Sequence, residues 1–195
     1  MDSLKATQLM PVTDPASASF EALTDDELME LTRAGTHPAF HLLVLRHQAR
    51  VLRVAARYLR DRTLATDVAQ CTFLELYRSR DRYRACGKFV GYLCRIAINQ
   101  CRMSTRDSKT RAAARADLVH RDRATTAWNP RECQRDLESA LAQLSEKLRI
   151  VVILRYGGDL DLTEIADALE LPLGTVKRRL FDAMAKLREL LEERP

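Results

Sequence analysis

Residues 161–190 read DLTEIADALELPLGTVKRRLFDAMAKLREL, and this stretch predicts two short helices joined by a tight turn. Asp161 and Glu164 have the spacing of a capping box, which marks the start of the first helix. Pro172 suits the first turn of the second helix, where its missing N–H costs nothing. A small residue, Ala166, stands where the two helices would cross. Together these features predict a helix-turn-helix.

The second of these helices carries a basic run at its start. Its apolar stripe consists of Val176, Leu180, Ala183 and Leu187. Lys177, Arg178 and Arg179 fall largely off that stripe, near the helix N-terminus, where a recognition helix meets bases and phosphates. We predict that they contact double-stranded DNA, with Thr175 at the helix start. Charge alone would also fit a solvated face on a helical bundle.

Composition sets broad limits on the class of protein. The 195 residues are 46% hydrophobic, 30% charged and only 6% aromatic, which favours helical packing. The net charge of +5 suggests a polyanionic partner, although so small an excess also serves solubility. We see no signal peptide and no apolar stretch of membrane-spanning length, so we expect a cytoplasmic protein.

Cysteine and histidine spacing gives no sign of a metal site. The cysteines are Cys71, Cys86, Cys94, Cys101 and Cys133. Their number is odd and no CxxC pair occurs, so free thiols in a reducing compartment are expected. His37 and His41 have ligand-like spacing, but Pro38 is predicted to start a helix and leave His37 outside it. We expect no cofactor and no metal.

Motifs of catalysis are also missing from the sequence. It contains no phosphate-binding GxxxxGK, no HExxH and no nucleophile elbow. We therefore predict no catalytic residues and expect that the protein is not an enzyme.

The order of helical signals predicts an all-α protein with two small helical domains, the C-terminal one a helix-turn-helix. Residues 1–22 are predicted to form a flexible tail, 23–103 a first domain, 104–130 a flexible basic linker and 131–195 a second domain. In the first domain we predict helices from a Thr24–Glu27 capping box, over 38–59, over 63–77 and over 89–103, with a loop at 80–88. The apolar positions predicted for the 38–59 helix are Leu42, Leu45, Leu52, Ala56 and Leu59. In the second, Leu137, Leu141, Leu144 and Leu148 form an amphipathic stripe.

Four stretches resemble the extracytoplasmic-function sigma factors, the smallest bacterial transcription-initiation sigma subunits. LTEIADALELPLGTVKRRL (162–180) resembles their helix-turn-helix, and LSEKLRIVVILRY (144–156) the helices that carry it. DVAQCTFLELY (67–77) resembles the helix that docks on the polymerase clamp, and FVGYLCRIAIN (89–99) the helix that faces the melted −10 element. The resemblance covers roughly residues 39–191 except the linker.

This resemblance implies roles for individual residues. Asp67 and Gln70 match the positions that bind the clamp of core RNA polymerase. The residues expected at the single-stranded −10 element, in the loop RDRYRACGK and the helix after it, are Tyr83, Arg84, Lys88, Tyr92, Arg95, Asn99 and Arg102. The helix-turn-helix residues would read the −35 element, the C-terminal domain would touch the polymerase flap, and the linker would run toward the RNA exit path. An anti-sigma factor is the expected inhibitor.

Some positions depart from the family pattern. The family usually has Gly where Glu170 ends the first helix of the motif, and a left-handed non-Gly residue there costs about 1 kcal/mol. It often has Trp at Tyr92 and Arg at Ile98, and basic residues where Asp182 and Met184 stand. The residues at Ile98, Asp182 and Met184 therefore reduce the positive charge of both DNA-facing helices.

Two other functions fit parts of the sequence. One is a helix-turn-helix transcriptional regulator with an N-terminal sensor domain that acts without polymerase. The other is a sigma-like decoy that binds an anti-sigma factor and no DNA. For regulation, direct redox control through Cys94 and Cys101 is the alternative to a separate inhibitory protein.

Overall fold

The computed structural model describes the backbone of residues 20–113 and 130–192, and side chains within 20–106 and 136–192. All regular structure in these ranges is helical, which confirms the predicted all-α class. The elements are α1 (Asp25–Arg33), α2 (His37–Leu59), α3 (Arg62–Arg78), a 3₁₀ turn (Arg80–Arg82), α4 (Phe89–Ala113), α5 (Pro130–Gln143), α6 (Glu146–Tyr156), α7 (Leu162–Leu169) and α8 (Leu173–Glu192). No helix among the described residues is long and apolar enough to cross a membrane.

Local capping signals start the helices where the sequence predicts. The Thr24 hydroxyl accepts from the Glu27 amide at 3.3 Å, and the Glu27 carboxylate accepts from the Thr24 amide at 2.7 Å. At α7 the same exchange joins Asp161 and Glu164, with both bonds at 2.7 Å. Asp61 caps α3 by accepting from the Leu64 amide at 3.0 Å. Each cap satisfies amides that have no partner inside the helix.

Helix α2 buries a different face from the one its leucines suggest. Leu45 and Leu52, two members of the predicted apolar recurrence, are 51% and 39% exposed. The buried face consists of Ala39, Leu43, His47, Val51, Val54, Ala55 and Tyr58. It includes a histidine because Asp25 of α1 meets the His47 ring at 2.8 Å. His37 is the first residue of the helix and Thr36 its N-cap, so the expectation that His37 lies outside was wrong by one residue.

The helix-turn-helix forms as predicted at α7 and α8. Glu170 ends α7 in the left-handed region, with φ of 53° and ψ of 47°. The chain then reverses, and the Leu171 amide donates to the Ala166 carbonyl at 2.9 Å. The Pro172 carbonyl accepts from the Thr175 and Val176 amides at 2.9 and 3.2 Å, which starts α8. Val176 and Ala183 on the predicted stripe are fully buried.

The leucine stripe before this motif is divided between two helices. Helix α5 ends at Gln143 and α6 begins at Glu146, after Ser145 at the N-cap position. Leu141 and Leu144 are buried against Leu187 of α8, whereas Leu137 is 43% exposed. The stripe therefore packs α5 and α6 on α8.

Helix α4 is longer than predicted, since it runs to Ala113 and not to about Met103. The first ten residues of the predicted linker are thus helical, and its last residue, Pro130, begins α5. The middle of that linker, residues 114–129, and most of the predicted tail lie outside the described residues. Phe20, at the end of the predicted tail, packs partly buried against the core of the first helices.

The two helical units share one apolar core. We call helices α1–α4 the N-terminal unit and α5–α8 the C-terminal unit. One continuous cluster joins Val54 and Ile98 of the first to Ile153 and Ile165 of the second. Two further clusters lie within single units: one holds α1 to α4 together and one holds α5 and α6 on α8. The docking of the units depends on contacts between residues far apart in sequence, which helical periodicity does not reveal.

Candidate DNA and polymerase interfaces

The start of α8 presents its basic side chains to solvent. Lys177 and Arg178 are exposed, and Thr175 is half-buried at the first turn. Arg178 lies 3.9 Å from Asp182 one turn on, which is a loose contact between exposed groups. Arg179 is half-buried and faces a shallow cavity that Arg102 of α4 also lines. Two of the three predicted DNA-reading cations are thus free to meet a duplex.

The loop before α4 is held by a residue that sequence reasoning missed. Asp26 of α1 accepts a short hydrogen bond from the Tyr83 hydroxyl and a second one, at 2.6 Å, from the Gly87 amide. Gly87 has φ of 72°, which a glycine adopts without steric cost. No local sequence pattern connects Asp26 to Tyr83, which lies 57 residues away in the chain.

The tyrosine ring of this loop faces the protein and not the solvent. Tyr83 is 4% exposed, with ring centroids 5.8 Å from Phe89 and 5.2 Å from Tyr92. Burial raises the pKa of Tyr83, and the hydrogen bond to Asp26 is a second, smaller cause in the same direction. Tyr92 is half-buried and donates to the Ser79 hydroxyl at 3.1 Å. In this conformation the predicted stacking ring of Tyr83 is part of the core, while Arg84 and Lys88 are exposed.

Three cations line one face of α4 at seven-residue intervals. They are Lys88, Arg95 and Arg102, which lie just before the helix and one and two heptads further on. Each is within ion-pair distance of a carboxylate of the C-terminal unit. The pairs are Lys88–Asp167 at 2.8 Å, Arg95–Glu170 at 2.6 Å and Arg102–Glu146 at 3.1 Å. Asn99 is exposed on the same helix.

A cleft of about 250 Å³ lies between the loop and α7. Arg84, Lys88, Tyr92 and Arg95 line it from the N-terminal unit, and Asp167 closes it from the C-terminal unit. The structure therefore brings together five of the residues predicted to bind a single strand, because Tyr83 lines the cleft as well. It also places the C-terminal unit across them.

The predicted clamp residues stand on the outer surface of α3. Asp67 and Gln70 are both exposed, and Val68 between them turns into the core. The C-terminal unit makes its larger contacts with α2 and α4, and it leaves both side chains exposed. A partner can therefore reach this surface without moving the units apart.

The cysteines divide into buried and exposed pairs. Cys94 and Cys101 are fully buried, and burial raises the pKa of each thiol to about 12. Cys71 and Cys86 are exposed. The Cys133 side chain lies outside the described residues. Where side chains are described, no group of three or more His, Cys, Asp or Glu is placed to hold a metal ion.

Both units match known sigma-factor regions. The Sigma-70 region 2 model matches residues 43–111, and the Sigma-70 region 4 model matches residues 140–189. The chain is 31% identical over 182 residues to the RNA polymerase sigma-H factor of Pseudomonas aeruginosa, covering 86% of this chain and 94% of the relative. It is 32% identical over 187 residues to the ECF RNA polymerase sigma-E factor of Haemophilus influenzae, covering 89% and 96%. The chain belongs to the extracytoplasmic-function sigma factors.

Two solved structures share its fold. CnrH in complex with the cytosolic domain of CnrY matches with a TM-score of 0.66 and 25% identity over 88% of this chain and 99% of that one. The Bartonella quintana sigma factor RpoE, in complex with the anti-sigma factor NepR, matches with a TM-score of 0.66 at 20% identity, over 80% and 98%. This chain is a transcription-initiation sigma factor, and its two units are sigma regions 2 and 4.

Proposed function

We propose that this sigma factor docks on core RNA polymerase through α3, reads the −35 element through α8 and captures the melted −10 element with the 79–88 loop and α4. The observation that carries this division is the separation of two basic surfaces. One is the exposed start of α8 in the helix-turn-helix. The other, which we call the strand-binding stripe, is the row of three cations spaced seven residues apart along α4: Lys88, Arg95 and Arg102. A single recognition helix fits the major groove of duplex DNA, whereas a row of cations along a helix can follow the backbone of a single strand.

On the duplex, the major groove admits one helix, and arginine can pair bidentately with guanine. Arg178 and Arg179 are the candidates for base contacts, with Thr175 and Lys177 on the flanking phosphates. The free amides at the start of α8 add favourable sites for phosphate. Arg179 is half-buried at a shallow cavity that Arg102 of the N-terminal unit also lines, so it is less accessible in this conformation than Lys177 and Arg178.

The free energy needed to open the −10 element is larger than this chain can supply by itself. Stacking is worth about 1.4 kcal/mol per step, so opening ten base pairs costs on the order of 15 kcal/mol. The N-terminal unit supplies one wall of the cleft and the cations for a strand, and Asn99 and Tyr92 add polar and aromatic groups beside them. We propose that it traps one or two extruded bases while polymerase holds the rest of the bubble.

Regulation and location follow from this role. Because CnrH and the Bartonella sigma factor were solved with CnrY and NepR, we propose that an anti-sigma protein also binds this chain. Sigma factors are regulators of transcription, and we propose that this one carries out no reaction of its own. It acts in the cytoplasm, where core polymerase and promoters meet.

The test is reconstitution with core polymerase from the same organism and a promoter library. We expect the chain to copurify with core and to direct transcripts from a defined promoter class. Asp67→Arg should abolish copurification without changing the circular dichroism spectrum. Glu30→Arg, the same charge change at an exposed site on α1, should copurify as the unaltered chain does. Sequence-specific binding as a dimer without polymerase, and no transcripts, would instead identify a regulator of another class.

A further inference from the structure

Each cation of the strand-binding stripe, which consists of Lys88, Arg95 and Arg102, meets a carboxylate of the C-terminal unit. Seven residues of α-helix advance about 10.5 Å and return nearly to the same side. Lys88, Arg95 and Arg102 therefore lie in one row. The carboxylates that meet them, which we call the acidic edge, come from the first residue of α6, from α7 and from the turn after α7: Glu146, Asp167 and Glu170.

Apolar contact brings the edge close enough for these pairs to form. At Gly91 of α4, a Cβ atom would lie 3.4 Å from the Glu164 backbone carbonyl of α7, so the two helices touch through backbone. Ile98 and Ile165 meet in the shared cluster on the same side. At the periphery, Arg53 of α2 pairs with Asp159 at 3.2 Å. A strand cannot pass between surfaces this close.

One residue of the acidic edge is held in a left-handed conformation. Glu170 has φ of 53°, a value that disfavours residues with a Cβ. A glycine would adopt it without cost. From this position the glutamate reaches Arg95 at 2.6 Å. The backbone conformation thus favours glycine at this position, whereas the ion pair with Arg95 requires a carboxylate side chain.

We infer that the acidic edge is a docking surface for the strand-binding stripe of the same chain, and that it competes with single-stranded promoter DNA. This inference rests on the strand-binding role proposed above. Carboxylates occupy the cations that strand phosphates would need, and one set of cations cannot serve both. Asp67 and Gln70 stay exposed in the docked state, so core polymerase can bind first and strand capture follows separation of the units.

The first experiment removes the charge of two of the three carboxylates and keeps the shape of their side chains. Asp167→Asn with Glu170→Gln, in the full chain, should tighten binding of a fluorescent random-sequence 20-nucleotide DNA strand about three- to thirtyfold, as expected from the loss of two exposed ion pairs. The matched control is Glu189→Gln with Glu192→Gln, the same charge change on exposed residues of α8. Equal tightening by both double variants would reveal a general charge effect and overturn the inference.

The second experiment locks the docked state. Arg53→Cys and Asp159→Cys are introduced after Cys71, Cys86 and Cys133 are changed to Ser, and a short cleavable bis-maleimide joins the new thiols. We expect the crosslinked chain to bind the same strand at least about tenfold more weakly than the cleaved chain. Arg53→Cys with Glu189→Cys should give little crosslink, as a control for spacing.

The outcomes separate this inference from the proposed function. If the crosslinked and cleaved chains bind the strand equally well, docking does not compete, even where the unaltered chain directs transcription. If the Arg53–Asp159 site crosslinks no better than the control, the units are not docked in solution. If the cleaved chain binds no strand and gives no transcripts, the strand-binding role itself is wrong, and the competition with it.

Discussion

The alkylation rate of the Cys94 thiol reports how often the two units separate. Its side chain is fully buried in the cluster that both units share. Burial raises its pKa from 9.0 to about 12, with Arg50 acting in the opposite direction and Glu164 of the C-terminal unit adding to the rise. At pH 8 an ordinary thiol is about one-tenth ionised, and one with this pKa about one part in ten thousand. We expect Cys94 to react with iodoacetamide about a thousandfold more slowly than exposed Cys86.

The assay is timed alkylation followed by proteolysis and mass spectrometry, which follows each cysteine separately in the unaltered chain. The same measurement on the Asp167→Asn, Glu170→Gln double variant should show a faster Cys94 reaction, by about three- to thirtyfold, and no change at Cys71, which is exposed on α3. Faster reaction is expected because alkylation of a buried thiol proceeds through the fraction of molecules that are open. Denaturation in urea should bring both cysteines to similar rates.

Two results would refute the reasoning. A Cys94 rate within about tenfold of Cys86 in the unaltered chain would show that the thiol is not protected by burial. Equal Cys94 rates in the unaltered chain and the double variant would show that parting of the units does not control access. A slow Cys94 also makes a poor redox sensor, because oxidants attack the thiolate. Cys94 and Cys101 lie seven residues apart on α4, about 10.5 Å along the axis, which is too far for a disulfide.

Three further predictions concern other parts of the molecule. Asp25→Asn should destabilise the chain by about 1–3 kcal/mol at pH 7 in urea unfolding. The pKa of Asp25 is lowered: burial alone would raise it, but His47 and Arg46 lower it more. Its contribution is thus present above the unfolded pKa of about 3.9 and lost as pH falls through the lower folded value, so the difference between the two proteins should shrink as pH falls below about 3.9. Asp26→Ala should weaken binding of a single strand and leave −35 duplex binding unchanged in fluorescence anisotropy, since it removes both bonds that hold the loop; an equal loss on both DNAs would assign Asp26 to general stability. Arg178→Ala should cost about 1–3 kcal/mol at one base position of the −35 element and relax specificity there, as measured on duplex variants, and a loss independent of sequence would make it a phosphate contact.

Features that depend on near neighbours in the chain were predictable. The capping boxes at Thr24 and Asp161 each involve groups three residues apart, so the pattern of letters contains the whole interaction. The left-handed conformation of Glu170 was expected from the resemblance to the family, which usually has glycine at this position. The family assignment also needed no coordinates, because two motifs in the right order carry it.

Features that depend on what a helix packs against were not predictable. The leucines of α2 suggested a face that includes Leu45 and Leu52, but contacts with α1, α3, α4 and α6 select a face that includes His47. A buried histidine becomes acceptable only because Asp25 lies opposite it, on another helix. The end of α4 was missed because polar residues continue a helix as readily as they form a linker.

The sequence by itself determined that Lys88, Arg95 and Arg102 form one basic row, because a helix repeats its direction nearly every seven residues. It also determined that α8 begins with three cations beside a helix-turn-helix turn. Only the tertiary structure decided that the row faces Asp167, Glu170 and Glu146, residues 44 to 79 positions away in the chain. Periodicity describes one helix at a time. Which acid meets which base is set by apolar packing in the cluster that Ile98 and Ile165 share, on the side where Gly91 of α4 lies close to the Glu164 carbonyl of α7.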